Sequence, residues 1–366
     1  MSTITSIGTC VPNYLHQQTD ICAFAKNIHC ADDIEKRKLQ FLYHHSGINT
    51  RYSVLPDYSS SINQRTFYPK TATLEPFPTL EKRMELYEAN ATQLSIKAIE
   101  NCIEGKIDKA DITHLITVSC TGMSAPGLDL SIMEAMQLPV TVFRTSVNFM
   151  GCYAAIHALK LADALCNTTP NANIIIVCTE LCTLHFQKDN TPDNITATLL
   201  FADGSAAALI QPSTKKNKGI ILKKFYAEVA FKGKKDMSWQ LSSTGFLMNL
   251  TGYVSNLIKE DFNALLQNAL QSNGLTTKDI TQWCIHPGGK KILEAIEKST
   301  GMGNEKFKYS YDVLSKYGNM SSATILFVLK KILDNLQYTP TTTEQYIFGA
   351  AFGPGLTMET FTAVYA

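Results

Sequence analysis

One stretch limits the architecture more than any other. Asn173-Ile174-Ile175-Ile176-Val177-Cys178-Thr179 has no polar residue between its two ends. A run this short, β-branched and unbroken is the pattern of a strand buried on both faces, which needs a layer of structure on each side. The chain offers partners for it. Leu115-Ile116-Thr117-Val118-Ser119 and Ser205-Ala206-Ala207-Ala208-Leu209-Ile210 read as further strands, and Leu128 to Met136 as a helix. Such alternation predicts the α/β class, with helices covering a sheet. Gln211 to Gly219 has the most linker-like composition in the chain. Beyond it the alternation resumes, with helices at Phe262 to Leu270 and Lys290 to Lys298. Strands are expected at Trp283-Cys284-Ile285, Tyr346 to Ala350 and Leu356 to Tyr365. Two α/β halves, 1–212 and 213–366, are the expected organisation. Asp57 to Pro78, rich in Ser, Thr, Pro and Tyr, reads as a surface excursion.

Composition narrows the function classes. With 366 residues, 45% of them hydrophobic, the chain can bury one large core or two ordinary ones. Its 33 basic and 32 acidic side chains nearly cancel, which argues against a polyelectrolyte partner, and no Lys/Arg tract resembles a nucleic-acid arm. The clusters Lys215-Lys216-Asn217-Lys218 and Lys232-Gly233-Lys234-Lys235 read as solvated loops. The N-terminus lacks a signal-peptide pattern, and no apolar stretch is long enough to span a bilayer, so a soluble cytoplasmic protein is expected. The ten cysteines are scattered and form no CxxC pair, which weakens zinc and disulfide readings and fits reduced thiols.

One of those thiols stands apart. Cys152 follows the β-branched run Pro139 to Val147 and precedes the apolar, helix-forming stretch Ile156 to Leu165. A thiolate at a helix N-terminus is stabilised by the unpaired N–H groups there. Free cysteine is also among the most buried residue types, so on its own Cys152 reads as packing before it reads as chemistry.

Three more segments place a capable residue at an element's end. His286 follows Trp283-Cys284-Ile285 and opens Pro287-Gly288-Gly289, a turn through which backbone or ligand can approach closely. Asn319, in Tyr317-Gly318-Asn319-Met320-Ser321-Ser322, precedes the apolar helix Ile325 to Leu336, where an N-cap and a substrate-facing amide are both open readings. Phe352-Gly353-Pro354-Gly355-Leu356 is a rigid tight turn, able to line a cavity or merely to join two strands.

Together with Gly151-Cys152-Tyr153, Val177-Cys178-Thr179-Glu180 and Leu200-Phe201-Ala202-Asp203-Gly204, these segments resemble the type III polyketide synthases, the chalcone synthase-like family. The resemblance covers essentially the whole chain. It implies a thiolase-like αβαβα five-layer fold made of two related halves, in a homodimer. It also implies a chemistry. Cys152, held as a thiolate by His286, takes an acyl group from an acyl-CoA starter. His286 and Asn319 then donate hydrogen bonds to the thioester oxygen of malonyl-CoA as CO2 leaves, and the enolate attacks the Cys152 thioester. Repetition and cyclisation follow, with no metal or organic cofactor.

Several positions depart from plant members of that family. Phe201 matches one of two phenylalanines between active site and CoA tunnel, or is plain core. The second falls at Thr244, with Phe246 two residues on. Cys120 stands at a cavity position that is Thr in plant members and often Cys in bacterial ones. Ala125 replaces a Met that plant members push into the partner's cavity, and Ala351 replaces the first Gly of the loop carrying Gly353, Pro354 and Gly355. Arg51, beside His44 and His45, lies where basic residues are expected on CoA phosphates, although a solvated arginine is its default reading. These departures point to a bacterial-type member. Two alternatives stay open: a ketoacyl-carrier-protein synthase III-like enzyme performing one condensation, and a non-catalytic thiolase-fold binding partner. An alkylpyrone or alkylresorcinol product from a fatty starter is the expectation.

Overall fold

Side chains of the Ile174–Val177 run alternate between two different cores, which is what a strand covered on both faces requires. In a computed structural model, which describes residues 1–214, 218–338 and 343–365, this run lies in a nine-stranded sheet. The first half contains β1 (Ser2–Cys10), β2 (Tyr14–Gln17), α1 (Gln18–His29), α2 (Asp33–His44), β3 (Thr50–Ser53) and α3 (Leu80–Ile103). It continues with β4 (His114–Ser119), α4 (Leu128–Met136), β5 (Phe143–Asn148), α5 (Ala154–Thr168), β6 (Ile174–Leu181), α6 (Pro192–Leu200) and β7 (Asp203–Pro212). The second half contains β8 (Ile220–Val229), the hairpin of β9 (Met237–Ser242) and β10 (Gly245–Leu250), α7 (Val254–Gln271), β11 (Ile280–Ile285) and α8 (Lys290–Thr300). It ends with α9 (Lys308–Tyr317), α10 (Thr324–Tyr338), β12 (Gln345–Gly353) and β13 (Thr357–Tyr365). Lys215, Lys216 and Asn217 of the expected linker lie outside the described residues.

Strand order is β11-β12-β13-β8-β1-β7-β6-β4-β5, and the halves repeat one pairing scheme. β4 runs parallel to β6, which pairs antiparallel with β7, and β7 with β1. β11 runs parallel to β12, which pairs antiparallel with β13, and β13 with β8. The halves join where β1 meets β8, through Thr3↔Ile221 and Ile4↔Ile220. Strand β5 has no counterpart in the second half.

The layers follow from which face each side chain takes. Leu115, Ile175, Val177, Ala207 and Leu209 point outward against α3 and α4. Ile116, Val118, Ile176, Cys178 and Ala208 point inward, into a core shared with α5, α10 and the inner residues of β8, β12 and β13. Trp283, Ile285, Phe348, Ala350 and Met358 pack outward against α7 and α8. Helices, sheet, two central helices, sheet, helices: these are the five layers the resemblance implies. Among the described residues no helix is long and apolar enough to cross a membrane.

The segment Asp57–Pro78 is a surface excursion only in part: more than half of its residues are exposed, but it is anchored from beneath. Tyr58, Tyr68 and Leu74 are buried in a core with Phe24 and Phe186. The buried Asp57 carboxylate accepts from the backbone N–H groups of Thr66, Phe67 and Tyr68, closing the segment on itself. Polar composition misled in part because the polar groups bond one another and leave the aromatic rings free to pack.

Candidate active site

Cys152 owes its place to two backbone reversals. After β5, Phe149 adopts φ 60° and Gly151 φ 81°, and α5 begins at Ala154. A Cβ on Gly151 would stand 2.2 Å from Cδ of Pro354, so only glycine allows the nucleophile loop to close against the Gly353-Pro354-Gly355 turn. The Gly151 N–H donates to Cys120 Sγ at 2.9 Å, and the Cys152 thiol donates to Ser321 Oγ at 3.7 Å. Ser321 is itself held at φ 47°, so reversed backbone collects around this thiol. Burial, helped by the Glu180 carboxylate, pushes the Cys152 thiol up to about 12, against hydrogen bonds with Ser321 and Asn319 that pull it down.

His286 extends the β11 ladder by one residue, its N–H donating to Ala350 O at 2.8 Å, before Gly288 N–H turns back to His286 O at 3.0 Å. The residue is 1% exposed and neither ring nitrogen has a partner. Burial holds its pKa down at about 3. Burial thus works against a charge on either group, the opposite of the mutual stabilisation a thiolate–imidazolium pair would bring.

Asn319 is not the N-cap of α10, which starts five residues later. It forms a parallel bridge with Phe201: its N–H donates to Leu200 O and its carbonyl accepts from Ala202 N–H, both at 2.9 Å. Its side-chain Oδ1 accepts from Ser321 N–H at 2.9 Å, which fixes which end of the amide is nitrogen. Nδ2 donates to Gly288 O at 3.2 Å, inside the His286 turn, and the amide also hydrogen-bonds the Cys152 sulfur. The cysteine, histidine and asparagine segments are thus joined through Ser321 and Gly288.

The thiol faces a cavity of about 360 Å³ lined by Cys120, Cys182, Phe201, Trp239, Met248 and Pro354, among others. A second cavity of about 560 Å³ lies beyond Phe201 and shares Cys182, Phe201, Trp239 and Met248 with the first. Trp239 stands between them, its Nε1–H donating to Cys120 O at 2.7 Å. Phe246 lines the second cavity and stacks on His185 with ring centroids 4.3 Å apart. Cys120 is therefore a cavity residue, as expected, and its Sγ also anchors the nucleophile loop. Glu180 is buried and accepts from Cys120 N–H, from Thr121 Oγ1 at 2.9 Å and from Ser322 Oγ at 2.5 Å.

Three expectations need correction. Thr244 lines neither cavity; it sits in the β9–β10 turn, bonded to Gln187, while Met248 and Phe246 face inward. Thr244 belongs to the turn itself, whereas Phe246 and Met248, two residues apart on β10, share one inward face. Arg51 is not a solvated arginine: it is 3% exposed, with Nε on Gln18 and Nη1 on Phe201 O, and it lines the second cavity. Asn319 is a bridge residue and no N-cap. Ala125 lies in an exposed loop. Gly353 is pinned, since a Cβ there would stand 2.5 Å from Tyr153 Cδ1. Sequence reasoning did not single out Trp239 or Met248; the one signal was Trp239 itself, one of two tryptophans, in a run of alternating polarity.

Comparison with known proteins adds the following. Residues 1–213 match the family model described as chalcone and stilbene synthases, N-terminal domain, and residues 225–364 match that of the C-terminal domain. Type III polyketide synthase C of Arabidopsis thaliana is 30% identical over 98% of this chain and 94% of its own length. The Mycobacterium tuberculosis protein named alpha-pyrone synthesis polyketide synthase-like Pks18 is 27% identical over 98% and 90%. The crystal structure of PKS-I from the brown alga Ectocarpus siliculosus superposes with a TM-score of 0.92 at 25% identity, covering 100% of this chain and 98% of that one.

Proposed function

Because the chain belongs to the chalcone and stilbene synthase family and is a type III polyketide synthase, an acyltransferase that makes Claisen condensations, we propose a mechanism built on Cys152, His286 and Asn319. One observation carries it: the Cys152 thiol faces a cavity beside an asparagine amide that hydrogen-bonds it and a buried imidazole with two unpartnered nitrogens. Such orphaned polar groups are expensive to bury unless a substrate satisfies them.

The Cys152 proton passes to the neutral His286 ring as sulfur attacks the starter carbonyl. The departing CoA thiolate takes that proton back, leaving the acyl group on Cys152. Malonyl-CoA then binds with its thioester oxygen against the Asn319 amide hydrogen, which leaves the sulfur once that is acylated, and the His286 ring N–H. The C–C bond to the carboxylate breaks, CO2 leaves, and the electron pair becomes an enolate held by those donors. The enolate carbon attacks the Cys152 thioester and expels the cysteine sulfur. The lengthened chain, now on CoA, returns to Cys152 or cyclises. Only thioester substrates enter these steps, and no cofactor is called for.

The apolar lining from Phe201, Trp239, Met248 and Pro354 supports an aliphatic acyl starter, and the adjoining second cavity supports several extensions rather than one. An alkylpyrone or alkylresorcinol product follows. Homodimer assembly is supported by strand β5, which ends the sheet with Phe143 71% exposed and the neighbouring Val140 95% exposed. Ten unpaired cysteines support work in the reducing cytoplasm.

Intact-protein mass spectrometry with a panel of acyl-CoA starters tests the reading. Wild type should gain one acyl mass and Cys152→Ala none, and malonyl-CoA should then give products of two or more extensions. Unchanged product formation by Cys152→Ala sinks the mechanism, and a single extension across the panel favours a ketoacyl-carrier-protein synthase III-like enzyme.

A further inference from the structure

We infer that Arg51 is a positioning residue for the condensation step, fixing Asn319 from behind and touching no substrate; the inference rests on the mechanism above. Its side chain leaves β3 and runs beneath the bridge that carries Phe201 and Asn319. A Cβ on Gly318, the residue before Asn319, would stand 2.8 Å from both Cγ and Cδ of Arg51 and 3.0 Å from Leu200 O. Gly318 has φ 67°, so the stem of Arg51 packs flat against the backbone that turns into Asn319. At the far end Nη1 donates to Phe201 O at 2.5 Å, and Nε donates to Gln18 Oε1 at 2.9 Å. Gln18 in turn donates to Leu199 O at 3.0 Å.

The carbonyls so engaged are the last ones of α6, which no turn of helix satisfies and which favour a positive charge. The same short segment also braces the other strand of the bridge. Asn49 N–H donates to Ser315 O and Thr50 Oγ1 to Lys316 O, both at 2.8 Å, at the end of α9 just before Gly318 and Asn319. Asn49, Thr50 and Arg51 therefore grip both chains whose meeting sets the Asn319 amide. Arg51 is 3% exposed and, although it contributes to the wall of the second cavity, its Nε and Nη1 are committed to these oxygens. A planar fork that binds carbonyls on one side and an amide oxygen on the other has no equivalent in a flexible ammonium.

The two half-reactions separate this role from others. Acylation uses Cys152 and His286, whereas decarboxylation of malonyl thioesters needs the Asn319 amide. In Arg51→Met, kcat for decarboxylation should fall roughly 100-fold, the cost of a misplacement of about 1 Å. Cys152 acylation, read by mass spectrometry, should stay close to wild type. The fall should be equal for malonyl-CoA and for S-malonyl-N-acetylcysteamine, which has no phosphates, and Arg51→Lys should recover part of it. A loss confined to malonyl-CoA and expressed as a raised KM would make Arg51 a phosphate ligand and overturn the inference. Equal losses in both half-reactions would overturn it too, as the mark of general damage. Should Arg51→Met fail to fold, Gln18→Met releases the guanidinium at Nε and must show the same split; unchanged decarboxylation there overturns it. A wild-type protein that neither loads an acyl group nor releases CO2 defeats the underlying mechanism itself, an outcome distinct from all of these.

Discussion

Gly151 sets the position of the nucleophile more tightly than any group bonded to the sulfur. Its φ of 81° and its contact with Pro354 leave no room for a side chain. Gly151→Ala should cost about 1–3 kcal/mol in strain alone, and relief of that strain must swing Cys152 away from Ser321. Urea unfolding should show the loss, and the rate of Cys152 acylation should fall with it; an acylation rate equal to wild type would mean the loop relaxes elsewhere. The residues of this site differ in how well the sequence reveals them. Cys152, His286 and Asn319 stand in short motifs at element ends, so local sequence marks them. Arg51 does not, because what distinguishes it is burial beneath a bridge between residues far apart in the chain. Nor does sequence reveal the charge state of Cys152 and His286, since desolvation depends on what encloses them.

Among the elements, the β9–β10 hairpin carries a disproportionate share of the cavity. Two strands alone are barely stable in water, so this hairpin depends on what it touches. It is held by the Trp239 bond to Cys120 O, by Phe246 against His185, and by Gln187 on Thr244. Trp239→Ala removes the partition between the cavities of about 360 and about 560 Å³. It should lengthen the products seen by mass spectrometry and cost about 3 kcal/mol in a urea titration, the low end for truncating a large aromatic. An unchanged product distribution would show that Phe201 alone closes the passage. Buried strands and helices with clear patterns, such as Ile174–Leu181 and Leu128–Met136, were legible from the sequence almost to the residue. This hairpin was not, for its residues are only partly buried and alternate weakly. Asp57–Pro78 was misread in part for the complementary reason, its polarity being spent on internal hydrogen bonds.

At the scale of the molecule, buried ionisable groups link stability to pH. Burial lowers His29 to about 4 and both His185 and His286 to about 3. Below their ordinary value near 6.5 the unfolded chain takes up protons that the folded one refuses, so their contribution is intact above that pH and drains as pH falls. Burial raises Asp203, to about 6, and Glu180, so these keep protons that the unfolded chain loses and work in the opposite sense. Burial also lowers His16 and His114, so five imidazoles outnumber two carboxylates. Stability should fall between pH 6 and 4 by about 1.4 kcal/mol per pH unit for each surplus proton. Urea midpoints from pH 7.5 down to 4.5 should show the slope, and His185→Asn should reduce it; stability that rises on acidification would contradict this assignment of buried groups. The α/β class was readable from alternating strands and helices, and the five-layer plan from the family resemblance. The seam between the halves was not, because it needs β1 to pair with strands from both. That seam governs the order in which the chain can fold during synthesis. Strand β1 leaves the ribosome long before its neighbours, which are β7, where Ser2 meets Pro212, and β8, where Thr3 meets Ile221. Until some two hundred further residues have emerged, β1 is a strand with both edges open, which delays folding and invites capture by other chains.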